Sequence, residues 1–159
     1  MNRAVLCIAL ALALAGCASS PPASSASTEA NLAVAKKLYG DFLHGDIDAV
    51  LSAMSEDVTW IIPGPGTLPY SGTRHGKAEW RNYLSGLGAT EILSFEPKEF
   101  FANGDKVVVL GHETLKVKAT GKIIDGDLAQ VLTFQNGKLT RFQSFDDTAE
   151  AAAAFSPAP

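Results

Sequence analysis

Val131–Phe142 reads VLTFQNGKLTRF. Two runs that alternate apolar and polar residues flank Asn136-Gly137. Asn-Gly is the strongest short-range hairpin signal, because both central positions of a two-residue turn need positive φ. The stretch therefore predicts two antiparallel strands, and the same period of two continues outward from it. Strand-like runs cover about 91–102, 105–118, 123–135 and 138–146, joined by a second Asn-Gly pair at Asn103-Gly104 and a weaker turn at Thr120-Gly121. A meander of four long strands is the expectation.

Upstream the period changes to that of a helix. Leu32, Ala35, Tyr39, Phe42 and Leu43 recur at helical spacing behind a Thr28 cap, and Gly45 ends the run. Asp46 can cap a second helix, DIDAVLSAM, whose Ile47, Val50, Leu51 and Met54 share a face. DVTWII then reads as a strand closed by Pro63. A third helix runs from Lys77 to Leu87, with Trp80, Tyr83, Leu84 and Leu87 on one stripe. A short tail helix, DTAEAAAAF, closes the chain. The fold class is α+β, with three N-terminal helices packed on a curved antiparallel sheet.

The first thirty residues carry targeting information instead of fold. Met1-Asn2-Arg3 is a short positive segment, and Ala4–Leu14 is apolar but too short to span a bilayer as a helix. Leu14–Cys17 reads LAGC, which resembles the bacterial lipobox, whose cysteine is lipidated and becomes residue one of the mature chain. The reading is a signal peptide over 1–16, a lipidated Cys17 with a Ser/Ala/Pro-rich tether over 17–30, and one domain over 31–155. This places the protein in the bacterial cell envelope, facing the periplasm. Ala18 after the cysteine points to the outer membrane over the inner. Cys7 leaves with the signal peptide and Cys17 is lipidated, so thiol, disulfide and cysteine–metal chemistry drop out.

Composition narrows the partners. The chain has 159 residues, 47% hydrophobic and 19% charged, with a formal net charge of −4, so it can fill a core but offers no basic surface for nucleic acid. His44, His75 and His112 lie far apart with no metal-ligand spacing, and neither a G-x-S-x-G elbow nor a phosphate-cradling glycine loop is present. No metal and no cofactor are expected.

Several stretches together resemble the ketosteroid-isomerase-like, SnoaL-like families of the nuclear transport factor 2 fold. They are FLHGDIDAVLSAMSEDVTWIIPGPGTLPYSGTRHGKAEW (42–80) and ATGKIIDGDLAQVLTFQNGKLTRFQSFDDTAEAAAAF (119–155), in this order. The resemblance implies a cone in which helices close one end of a bent sheet around an apolar pocket, with the outer sheet face pairing two subunits as a homodimer. Ketosteroid isomerase carries its base just before the proline that ends the first strand. Here that residue is Ile62, which can accept no proton, so that mechanism does not transfer.

The resemblance also nominates Asp127 as a pocket aspartate and Tyr39 as its tyrosine partner, although the Asp-Gly-Asp around it is equally turn chemistry. On the strand KVVVLGHETLKVKA, alternation allows only one of His112 and Glu113 to face the pocket. The face shared with Leu115 and Val117 is more continuously apolar, which nominates Glu113. A polar group near the His112 position in related sequences keeps His112 open. Trp60 and Ile62 share one side of their strand as a pocket wall, and Trp60–Gly76 as a whole reads as half wall, half lid. Phe142, Ser144 and Asp146 share a face of the last strand, opposite Leu139, Arg141, Gln143 and Phe145. By resemblance the Phe142 face lines the pocket, while Asp147 suits the cap of the tail helix.

Two functions stay open on these grounds. One is a module that binds a small apolar molecule. The other is an isomerase-, hydrolase- or cyclase-type enzyme using Asp127, Glu113 or His112 as its acid–base group.

Overall fold

The computed structural model describes residues 25–157. The signal peptide, Cys17 and most of the tether lie outside these residues. Within them, no helix is long and apolar enough to cross a membrane.

Helix α1 (Ser25–Leu43) begins earlier than its sequence signal. Thr28 does not cap it. Its hydroxyl accepts the Gly104 N–H at 3.1 Å, and Asn31 Nδ2 donates to the Gly104 carbonyl at 3.0 Å. These two side chains, nearly one turn apart on α1, hold a distant hairpin turn, and residues 25–30 of the expected tether are helical as a result. Gly45, at φ 73°, ends this segment, and Asp46 caps α2 (Ile47–Ala53) by accepting the Ala49 N–H at 3.0 Å.

Strand β1 (Met54–Ile62) leads through the 63–71 loop into β2 (Gly72–His75), and α3 (Gly76–Leu87) follows at once. The chain then builds β3 (Thr90–Asn103), β4 (Lys106–Val117), β5 (Ile123–Gln135) and β6 (Lys138–Phe145), and ends in α4 (Thr148–Phe155). Asn136 and Gly137 turn the last hairpin at φ 51° and 72°, as their residue types require. In the first hairpin Asn103 still pairs with Lys106, so its turn is Gly104-Asp105, one residue later than the Asn-Gly signal.

The strands form one sheet in the order β2-β1-β6-β5-β4-β3. Two features depart from the sequence expectation. The sheet is mixed, because β6 comes back beside β1 running in the same direction. The three N-terminal helices are also less close in sequence than expected, because a further short strand, β2, comes between the expected β1 and α3. Strand β2 carries Gly-Thr-Arg-His, which has no apolar alternation to announce it.

One inward set of residues makes the core. Along β4, Val107, Val109, Leu115 and Val117 are buried, and along β5 so are Leu128, Gln130, Leu132 and Phe134. Strand β6 breaks its own alternation: Leu139 is fully buried although simple parity puts it with outward-facing Arg141. Opposite them Phe134 pairs with Leu139 but Thr133 with Arg141, so Thr140 is an extra residue that resets the phase.

Candidate functional site

The concave side of the sheet meets α1 and α3 around a small aromatic chamber. Its floor is Trp60 on β1 and Phe142 on β6, neighbours across the parallel pair, with ring planes 7° apart and centres 3.7 Å apart. Trp80 and Tyr83 from α3 come against Trp60 with centres at 5.7 and 5.4 Å. Tyr39 and Phe42 from α1 and Phe95 from β3 line the opposite wall, where Tyr39 stacks on Phe95 at 6.1 Å. The cavity volume is about 60 Å³. A single water needs about 10–15 Å³ by this measure, so several fit. Ile92, 45% exposed, stands at the rim.

Polar groups enter this chamber at two places. Tyr39 donates its hydroxyl proton to Gln130 Oε1, and Gln130 Nε2 reaches Ser144 Oγ at 3.5 Å. Burial pushes the Tyr39 phenol far above its ordinary value, so it is a neutral donor. The second polar group is Glu113, which the alternation of β4 turns inward. It borders the aromatic chamber and also an adjoining lobe formed with Ile62, Tyr70, Tyr83, Ser144 and Asp146. Among the described residues no group donates a hydrogen bond to its carboxyl. Burial, with the nearby Asp146 carboxyl adding to it, pushes the Glu113 pKa up to about 7. Asp146 is raised too, first by burial and then by Asp147, and its Oδ1 is buried without a partner. The indole N–H groups of Trp60 and Trp80 are likewise buried and unpartnered.

The 63–71 loop roofs the lobe. Leu68 and Tyr70 are buried, and the Tyr70 ring meets Phe155 of α4 at 5.8 Å. The loop lies so close to α3 that a Cβ on Gly86 would sit 2.3 Å from the Pro69 carbonyl oxygen. Arg74 steadies it from β2, donating to the carbonyls of Tyr70 at 2.9 Å and Ser71 at 3.0 Å. Asp147 caps α4 beside the lobe, accepting from Ala149 and Glu150 N–H groups at 3.0 and 2.9 Å. His75 stands at the start of α3 and lines neither space.

The residues nominated from sequence thus separate into two groups. Tyr39, Trp60, Phe142 and Glu113 meet at the aromatic chamber, and Ile62 and Asp146 meet Glu113 in the lobe. Asp127 and His112 are not brought to the chamber. The even-numbered residues of β5 turn inward, so Asp127 turns out, with a side chain 91% exposed. His112, opposite it on β4, lies with Nδ1 2.9 Å from Asp127 and Nε2 3.1 Å from Asp125, which also accepts from Thr114. These carboxylates, Asp127 first, raise the His112 pKa on the outer face of the sheet. Gln130 and Tyr83 escaped the sequence reading. Gln130 had a signal, as the one amide in the inward series Leu128, Gln130, Leu132, Phe134. Among the described residues no group of three His, Cys, Asp or Glu side chains is placed to hold a metal ion.

A cone of helices over a bent sheet, closed around an aromatic chamber with one inward carboxyl group, defines a class of small-molecule-pocket domains. Residues 35–142 match the model of the SnoaL-like domain, and the chain belongs to that family. Solved structures agree in fold. A nuclear transport factor 2-like protein from Burkholderia xenovorans LB400 is 33% identical, with 82% of this chain and 98% of that one covered at a TM-score of 0.74. A nuclear transport factor 2-like protein of unknown function from Burkholderia pseudomallei K96243 is 29% identical over 80% and 98% of the two chains, TM-score 0.71. TerC, in a structure co-crystallised with polyporic acid, is 28% identical over 79% and 98%, TM-score 0.68. No curated protein matches the chain.

Proposed function

We propose that this chain is an envelope domain, anchored through a lipidated Cys17 and facing the periplasm, that binds a small, largely apolar molecule in the aromatic chamber. One observation carries the binding reading: a chamber walled by Trp60, Phe142, Tyr83 and Phe95 admits a carboxyl group, Glu113, to which none of the described residues donates a hydrogen bond. A half-buried carboxyl group without a protein donor leaves its hydrogen-bonding capacity for a molecule in the chamber. TerC, 28% identical, was co-crystallised with polyporic acid, and that likeness supports a small-molecule role for this chain. Apolar side chains on the outer sheet face, Leu110 at 37% and Phe145 at 49% exposure, support pairing of two copies through that face. Native mass spectrometry of the full chain, released from detergent, tests both points. A dimer that carries a co-purified small molecule is the expected result, and an empty monomer contradicts it.

A second reading is favoured by Glu113 itself. A carboxyl group poised near neutrality beside a bound molecule can take a proton from it and return it elsewhere, which is acid–base catalysis. In this reading Glu113 acts from β4 on the same lobe that Ile62 borders, and Tyr39 with Gln130 orients the substrate. Turnover lost in Glu113→Gln and kept in Asp127→Asn would be its signature.

A further inference from the structure

We propose that the molecule held in the chamber is a one-ring or similarly small hydrophobic amine, bound as its ammonium form with Glu113 as counter-ion. The proposal rests on the chamber being a small-molecule site and adds what that molecule must carry.

The charge around the chamber is one-sided. Glu113 is the one Asp, Glu, Lys, Arg or His among the described residues that line it, and the adjoining lobe adds Asp146. Among the described residues no lysine or arginine lines either space. Arg74 is engaged with two backbone carbonyls and the face of the Tyr83 ring, 5.8 Å away. His112 is on the other face of β4, held by Asp125 and Asp127. Two half-buried carboxyl groups thus border these spaces, and no described residue lining them supplies a cation, so the site is open to a positively charged partner from outside.

The walls suit the same partner. Indole and phenol rings carry electron-rich faces, and Tyr39, Trp60 and Tyr83 line the space that Glu113 borders, one face of Trp60 being taken by Phe142 and one of Tyr83 by Arg74. A cation between such faces and a carboxylate gains from both, more so when water is excluded. An anionic ligand would meet two acids and no base. The cavity, about 60 Å³, accommodates a single ring or a short branched chain more readily than a polycycle.

Binding by this route couples to a proton. Glu113 must be ionised to pair with an ammonium group, so affinity rises with pH through the range where Glu113 titrates, about 7. The other titratable groups facing this space are Tyr39 from α1, Tyr70 from the 63–71 loop and Tyr83 from α3, all raised and uncharged at neutral pH. Asp146 follows β6, and Asp127, Asp147 and Glu150 stand at the outer end of the lobe. Of these acids Asp146 is raised by burial, so its ionisation with rising pH works in the same sense as that of Glu113.

Benzylamine and benzyl alcohol share a shape and differ in charge, which makes them the test pair. Isothermal titration of the full chain at about pH 8 is expected to show benzylamine binding at least about tenfold more tightly. Benzylamine affinity is expected to fall towards about pH 5.5 while that of benzyl alcohol holds, and Glu113→Gln is expected to erase the preference. Asp146→Asn, which keeps Glu113, is expected to weaken benzylamine without removing the preference. Equal or weaker binding of benzylamine in the wild-type chain overturns the ammonium assignment and leaves the chamber as a small-molecule site. Acetophenone binding that tightens as pH falls overturns it too, because Glu113 would then be donating a proton to a carbonyl. Failure of all three probes to bind overturns the chamber reading, and the ammonium assignment falls with it.

Discussion

The rings of Trp60 and Phe142 lie parallel, 3.7 Å between centres, across the one parallel strand pair of the sheet. That contact joins the first strand of the chain to the last and forms the chamber floor at the same time. Trp60 is 5% exposed, so Trp60→Ala removes a large buried ring and is expected to cost about 3–5 kcal/mol in denaturant unfolding. The same change is expected to abolish small-molecule binding. Binding that survives it would remove Trp60 from the site.

Glu113 should make the fold less stable as pH rises. Its carboxyl titrates near 7 in the folded chain against an ordinary 4.5, so between those values the folded state holds a proton that the unfolded state has released. Stability therefore falls as pH climbs through that window, by about 3 kcal/mol in total. Asp146 is raised as well and acts in the same sense, as does His112, whose stabilising ion pairs are lost when it deprotonates. Thermal unfolding from about pH 5 to 8 is expected to show a falling Tm. Glu113→Gln is expected to flatten most of that slope and to exceed the wild type in Tm at pH 8.

Much of the site was legible where a short-range period governs. Alternation along β4 allowed only one of Glu113 and His112 to face inward and favoured Glu113 by its more continuously apolar face, while the resemblance kept His112 open. Asp46, Asp147 and Asn136-Gly137 likewise act through contacts two or three residues away. What escaped depends on distant pairing. Nothing near Lys138–Phe145 announces that β6 will lie parallel to β1, and Thr140 as an extra residue is visible only against its partner strand. Asp127 was nominated by resemblance to a position on a strand, and in a strand an error of one residue turns a side chain to the other face.

Gly86 sets how closely α3 can approach the loop that carries Tyr70. A Cβ there would stand 2.3 Å from the Pro69 carbonyl oxygen and 2.7 Å from its carbon, both backbone atoms that cannot swing aside. Gly86→Ala is expected to cost about 1–3 kcal/mol and to loosen the 63–71 loop. Faster amide exchange at Leu68–Ser71 would report it, and unchanged exchange would mean that the loop is held from elsewhere.

The outer face of the sheet should answer to different substitutions. Asp127→Asn and His112→Ala are expected to leave affinity in the chamber unchanged, since neither side chain lines it. Leu110→Glu, on an apolar part of the same face, is expected to shift the chain towards monomer in analytical ultracentrifugation. A dimer untouched by Leu110→Glu would move the subunit contact off this face.

The most direct measurement is a titration of the glutamate side-chain carboxyls by carbon-detected NMR, with and without benzylamine. The account predicts one carboxyl that titrates near 7, is missing in Glu113→Gln, and moves to a lower pKa when the chamber is filled. A Glu113 that titrates at an ordinary 4.5 and ignores the ligand would contradict it.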